Sequence, residues 1–462
     1  MSETQAPIAP RRPYRHSYHG VDLDDPYYWL QDPNYPQVDD ADVLAYLNAE
    51  NNYFESWFEP HQGLTRTLFE ELKSRKPEQD ESVPYEKNGY RYQWRFQTGD
   101  QYRVWRRQPT APEHGPWETL LDENALAEGC DYFRLGALAV SPDGKTLAYS
   151  TDTNGSERFT LKVIEIDSGN ELTPAIENCA GSVVWNASNT GFAYRLVNAQ
   201  WRPDKALFRD LATGDDTLLY EEHDESFFVG LGLSQSEQLM FISAGDHVTS
   251  EVRCVPRDRL LAPPLVIAPR RSGHEYDVDH QGDSATAGRL IIRSNRQHAN
   301  FDVFETPVVE PDEGRWQVML AGDDRHYLMG HVAFANATVV CLRIDGLDQI
   351  QIIDETGTHQ IEFPEPAYSL DLGTNPSYDT DTLRIAYTSM VTPHTVYDYD
   401  WRQAKLTSLK VQDIPGGYDA GEYVSERLEV TARDGSLVPL SLVRQKDTPG
   451  NGSAPAYLYG YR

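Results

Sequence analysis

A four-strand unit that recurs along most of the chain restricts its fold more than any other feature. Its fullest copy is the stretch 138–172, LAVSPDGKTLAYSTDTNGSERFTLKVIEIDSGNEL. Short β runs fall at 138–140, 146–150 and 160–166, with a weaker fourth after Gly169. Between the first two, Ser141-Pro142-Asp143-Gly144 is a tight turn, because proline presets φ, aspartate bonds its own backbone and glycine takes positive φ without penalty. The alternation from Leu161 through Glu165 suits a half-buried strand rather than a helix. Units of this kind begin near Tyr85, Leu138, Val183, Val229, Tyr276, His331 and Leu370, 39 to 55 residues apart. Turns at Asp210–Gly214 and Asp354–Gly357 keep the same rhythm. A period in the forties means units that bury their faces only against their neighbours, so the expected fold is mainly β, a seven-bladed β-propeller over 77–414.

The flanks read differently. Residues 1–20 are polar and proline-rich and suggest a flexible or surface-draped arm. Asp25-Pro26-Tyr27-Tyr28-Trp29-Leu30 gathers three aromatics behind a proline and reads as a packing anchor. From Asp39 or Asp40 as N-cap, Val43, Leu44, Leu47, Phe54 and Phe58 approach a 3.6-residue period. A second helix carries Leu64, Leu68, Phe69 and Leu72 and ends at Lys76-Pro77. These make 1–76 an N-terminal helical segment. After the propeller, Pro415-Gly416-Gly417 reads as a hinge or linker. The region 415–462 then offers strands at 423–432 and 437–443 around the hairpin signal Arg433-Asp434-Gly435, and a third strand at 454–461.

Composition narrows the function. A formal net charge of −31 repels phosphate backbones, which argues against nucleic acid as a partner and favours cationic ligands. The four cysteines, Cys130, Cys179, Cys254 and Cys341, form no CxxC pair. They fit reduced thiols in a cytoplasmic protein better than a zinc site or a disulfide framework. No apolar run follows the N-terminal arginines and none is long enough to cross a bilayer, so neither a signal peptide nor a membrane is expected.

Chemically armed motifs are sparse. A hydrolase nucleophile on a strand-to-helix elbow is written G-x-S-x-G, and no serine here satisfies it. The nearest is Gly232-Leu233-Ser234-Gln235-Ser236, without the second glycine; Gly450-Asn451-Gly452-Ser453 has the wrong spacing. The run Glu221-Glu222-His223-Asp224-Glu225 reads as a solvated acidic loop. His274, Glu275 and His280 do not make HExxH. No residue is therefore assigned a catalytic, cofactor-binding or metal-binding role, and no cofactor is expected.

Several segments together resemble the prolyl oligopeptidase family of serine peptidases, most closely its oligopeptidase B branch. They are DPYYWL at 25–30, LLDENALAEGCDYFRLG at 120–136, the SPDG unit, SMVTPHTVYDYD at 389–400 and PGGYDAGEYVSERLEVTARDGSLVPLSLV at 415–443. The resemblance implies a seven-bladed propeller over an α/β-hydrolase domain built from the N-terminal segment and everything after the propeller. It implies hydrolysis of short peptides after Arg or Lys, and a Ser/Asp/His triad downstream of Tyr459-Gly460-Tyr461. On that basis 415–462 is expected to be the start of an incomplete hydrolase domain. The chain then reads as the N-terminal portion of such an enzyme, truncated and inactive alone, with another chain as a candidate source of the missing segment. The alternative is a non-catalytic propeller that binds peptides or serves as a scaffold.

Overall fold

A computed structural model describes residues 5–35, 37–111 and 115–460. The chain divides into two compact units. One runs to Pro77 and takes in Ile414–Gly417; the other holds Glu78–Asp413 with the residues from Tyr418 onward.

The first unit carries the main helical region. The Asp40 carboxylate accepts the amides of Asp42 and Val43 at 2.9 and 3.1 Å and so caps α1 (Ala41–Phe58). Asp32 accepts the amides of Asn34, Asp39 and Asp40 in turn, so two carboxylates in series fix the helix entry. A 3-10 turn at Glu59–His61 leads into α2 (Gln62–Ser74). The N-terminal arm is not loose: Arg15–Tyr18 pairs with Val21–Asp24 as an antiparallel hairpin. The aromatic cluster supplies the reason. Trp29 donates its indole N–H to the Pro10 carbonyl at 2.8 Å, Arg12 lies 4.2 Å over its ring, and Tyr28 stacks on Tyr14 at 3.9 Å.

In the second unit each expected unit start falls in a strand: Tyr85–Lys87, Arg134–Val140, Ile176–Trp185, Phe228–Leu233, Tyr276–Ser284, His326–Ala333 and Ser369–Leu372. Their pairing nevertheless corrects the expected seven blades. Four sheets have four strands and one has five, which makes five blade-sized sheets, while the strands from Arg134–Val140 to Asp216–Glu221 form one continuous seven-stranded sheet. The cause lies after Gly169. The weak fourth strand there is reduced to a single bridge, Ile164 to Glu171. The edge of Phe159–Glu165 is instead taken by Ile176–Trp185, with Phe159 opposite Cys179 and Leu161 opposite Ile176.

Buried apolar clusters sit between successive sheets. Phe241, Val252 and Leu239 meet Tyr276, Leu290, Phe304 and Trp316 in one of them. Val339, Ile350 and Ile352 meet Leu370, Leu383 and Ile385 in another. The junction of the last sheet with the first is made differently. Arg384 donates to the Pro84 carbonyl at 2.7 Å, and Lys410 bonds Asp80 and the Glu81 carbonyl. No strand is shared across that seam among the described residues.

The expected start of an α/β-hydrolase domain is not shown. Tyr423–Thr431 and Leu437–Gln445 form the anticipated hairpin, its turn set by Gly435 at φ +91° and by Asp434, which accepts from Ser436. Of the third strand expected at 454–461, residue 461 lies outside the described residues, and residues 446–460 are turns and irregular chain. Among the described residues this two-stranded antiparallel ribbon is accompanied by no parallel strand or crossover helix.

Candidate functional site

The first hairpin of each repeat ends at one rim of the second unit, and several of these turns converge. Glu237, in the turn between Phe228–Leu233 and Leu239–Gly245, pairs with Lys87 and, at 2.6 Å, with Arg257. Arg257 also donates to the Trp185 carbonyl at 3.0 Å. Glu237 sits at φ +57°, a conformation that L residues rarely take, and two cations hold its carboxylate there. Burial alone would raise its pKa, but the charges of Lys87 and Arg257 lower it. Across the same rim, Gln235 donates its side-chain amide to the Asn375 carbonyl at 2.7 Å. These turns enclose a polar cavity of about 550 Å³, lined by Lys87, Glu237, Arg257, Ser284, Thr286 and Tyr378 among others.

One carboxylate organises this rim. Asp279, on Tyr276–Ser284, accepts the Gln235 and His280 amides at 2.9 and 2.8 Å on one oxygen and the Ala333 amide at 2.8 Å on the other. It thereby ties three consecutive sheets together. Its burial pushes the pKa up, against the opposing pull of His331 and the three amides.

The nearest approach to an elbow, 232–236, gains a histidine in the structure. Ser236 Oγ lies 2.7 Å from His280 Nδ1, and His280 Nε2 lies 3.0 Å from the Ala287 carbonyl. The arrangement is not a nucleophile. Ser236 and His280 are 6% and 0% exposed, the second ring nitrogen meets a neutral carbonyl rather than a carboxylate, and a strand rather than a helix follows the turn. The pair holds the turn against the neighbouring sheet. His274 is likewise occupied, its ring nitrogens facing Ser294 Oγ at 2.9 Å and Arg271 at 3.1 Å. Among the described residues no group of three or more His, Cys, Asp or Glu side chains is arranged to hold a metal.

The acidic run at 221–225 contains one residue that is not simply solvated. Glu222 binds Arg270 at 2.5 Å and the Tyr220 hydroxyl at 2.6 Å, and accepts the His223 and Asp224 amides at 3.0 Å. Burial would raise its pKa; Arg270, Tyr220 and the Asp224 amide outweigh that and bring it to about 2. Because the folded value lies below the ordinary 4.5, the stabilisation is complete above about pH 4.5 and is lost as pH falls through about 2. Glu222→Gln is expected to cost ~2 kcal/mol at pH 6. Its deficit against the parent chain should narrow in denaturant titrations at pH 3.5; a constant deficit would show that the charge contributes nothing.

Residues 7–412 match the family profile described as prolyl oligopeptidase, N-terminal beta-propeller domain, and the chain belongs to the prolyl oligopeptidase family. It is 35% identical to dipeptidyl aminopeptidase BI of Pseudoxanthomonas mexicana over 96% of this chain and 63% of that protein. It is 30% identical to protease 2 of Moraxella lacunata over 98% and 65%. Among solved structures, oligopeptidase B of Leishmania major superposes with a TM-score of 0.87 at 26% identity, over 96% of this chain and 65% of that one. The chain thus spans just under two thirds of these relatives' length. No described helix is long and apolar enough to cross a membrane.

Proposed function

We propose that this chain provides the peptide-admitting propeller of an oligopeptidase B-like serine peptidase, which hydrolyses short peptides after Arg or Lys, and that these 462 residues have no turnover by themselves. The observation that carries the second half is the geometry of Ser236: among the described residues the serine that lies nearest a histidine is buried, and that histidine's other nitrogen meets a neutral carbonyl rather than an acid. The first half is supported by the family match and by the acidic balance, since a net charge of −31 raises the local concentration of basic peptides.

The purified chain should neither cleave an arginyl fluorogenic peptide nor take up an active-site-directed organophosphonate. Stoichiometric labelling or turnover, with contaminating proteases excluded, overturns the proposal. The similarity to a dipeptidyl aminopeptidase favours a second reading, in which the complete enzyme releases dipeptides from the amino end. The two readings separate on N-acetylated peptides: an endopeptidase propeller binds acetylated and free forms alike, whereas amino-end recognition needs the free ammonium.

A further inference from the structure

Among the described residues, three arginines without a carboxylate partner lie at the other end of the seven-stranded sheet, in a chain with 72 acidic residues. Arg195 donates to Ser182 Oγ at 2.9 Å, to the Val229 carbonyl at 2.7 Å and to the Ala180 carbonyl at 3.3 Å. Arg158 donates to Asn178 Oδ1 at 3.3 Å and to the carbonyls of Val197, Asn198 and Ala199. Arg202 lies 4.7 Å over the ring of Phe228, next in the chain to Val229. All three are half-buried, and each guanidinium is met only by neutral groups among the described residues. The nearby Glu157 is already engaged by Arg134 at 2.8 Å.

Equivalent positions in other sheets show what is missing. Arg293 likewise donates to the first strand of the next sheet, at the Leu328 carbonyl, and it faces Asp277 at 2.9 Å. Arg384 donates to the Pro84 carbonyl and faces an acid on its other side, Asp398 on the third strand of its sheet, at 2.9 Å. Opposite Arg195 the partner strand bulges between Cys179 and Val183 and presents Ser182 in place of an acid. Burial without a counter-ion lowers the Arg195 pKa. A guanidinium has five N–H groups, and three of those on Arg195 are used, so two are left. Trp201 stands beside the cluster, 52% exposed and held at φ +60°. Its indole is tied to the Ser156 carbonyl at 2.6 Å and Arg158 lies 4.7 Å over its ring. A bulky residue fixed in that backbone region is a local strain that the loop retains.

We infer that Arg158, Arg195 and Arg202 form a carboxylate-binding site for a peptide ligand, with Trp201 and Phe228 as its apolar border. The inference rests on the reading that the propeller admits peptides. The ligand's carboxylate meets the two N–H groups that Arg195 leaves free, with Arg158 and Arg202 adding charge at the same end of the sheet, and it is either the peptide's C-terminal group or an acidic side chain.

The test is fluorescence titration of the full 462-residue chain with three dansylated hexapeptides: a free acid, its C-terminal amide, and the amide with one internal Glu. The free acid is expected to bind at least fivefold more tightly than the plain amide. Recovery of that affinity by the Glu peptide assigns the site to any carboxylate; no recovery assigns it to the C-terminus alone. Arg195→Met and the less constrained Arg202→Gln should each reduce the acid-to-amide ratio, and Arg202→Gln decides the matter should Arg195→Met not fold. Equal binding of acid and amide, or a ratio unchanged in both variants, overturns the site while leaving peptide admission intact. No binding of any peptide overturns both.

Discussion

Asp279→Ala is expected to be among the most destabilising single substitutions in the second unit, lowering stability by about 3–5 kcal/mol. Its carboxylate is the acceptor for the amides of Gln235, His280 and Ala333, and it is 9% exposed, so water cannot readily replace it. Removing it leaves three inward-facing N–H groups to find partners in a packed rim. Asp279→Asn sharpens the point. Its amide oxygen can still accept the Gln235 and His280 amides, but its NH2 then confronts the Ala333 amide, donor against donor. Asn should therefore recover part of the loss and Ala none, as read from midpoints in urea titration. Equal midpoints for the parent chain and Asp279→Ala would mean that the carboxylate does not hold the three sheets together.

The second large effect is expected at Phe304. This ring is fully buried between two sheets, 5.7 Å from Trp316 and in one cluster with Leu290 and Phe241. Phe304→Ala removes both the transfer energy of the ring and its contacts, at a cost of about 3–5 kcal/mol. Phe304→Leu keeps most of the volume and should cost less than half of that. Thermal unfolding followed by tryptophan fluorescence reports both variants, because Trp316 lines the same cluster. If alanine and leucine proved equivalent, the site would be collapsing around the gap rather than leaving a cavity.

Much of this architecture was legible in the residues because its signals are local. Asp40 caps its helix for the reason its side chain suggests, and Ser141–Gly144 turns as its proline and glycine require. The hairpin around Asp434-Gly435 forms likewise. What the sequence concealed depends on pairing between distant strands. Whether Ile176–Trp185 starts a new sheet or continues the old one is decided by competition for the edge of Phe159–Glu165, and the short stretch after Gly169 loses it. The N-terminal arm misled for a related reason: its order comes from Trp29 and Tyr28 folding back on Pro10 and Tyr14.

The rim was the least visible part. Lys87, Glu237 and Arg257 belong to separate turns with no shared motif, and nothing adjacent in sequence to any of them announces the others. Asp279 is anonymous for the same reason. In the sequence, His280 and Ser236 are only fragments of motifs that they do not complete. The three arginines without an acid partner among the described residues stand out only when Arg195 is set beside Arg293 in the sheet register, where Ser182 stands in the position of Asp277.

The seam between Arg384, Lys410 and the first sheet differs in kind from the apolar junctions elsewhere. Its chief fastenings are two cations reaching carbonyls and one carboxylate, with side chains 17% and 29% exposed. Dissolved ions compete for such contacts and screen them over about 8–10 Å, while they tighten rather than loosen greasy interfaces. Ionic strength therefore acts selectively on this torus, easing one joint and leaving the others firm, so that its first breach under rising salt has a defined address.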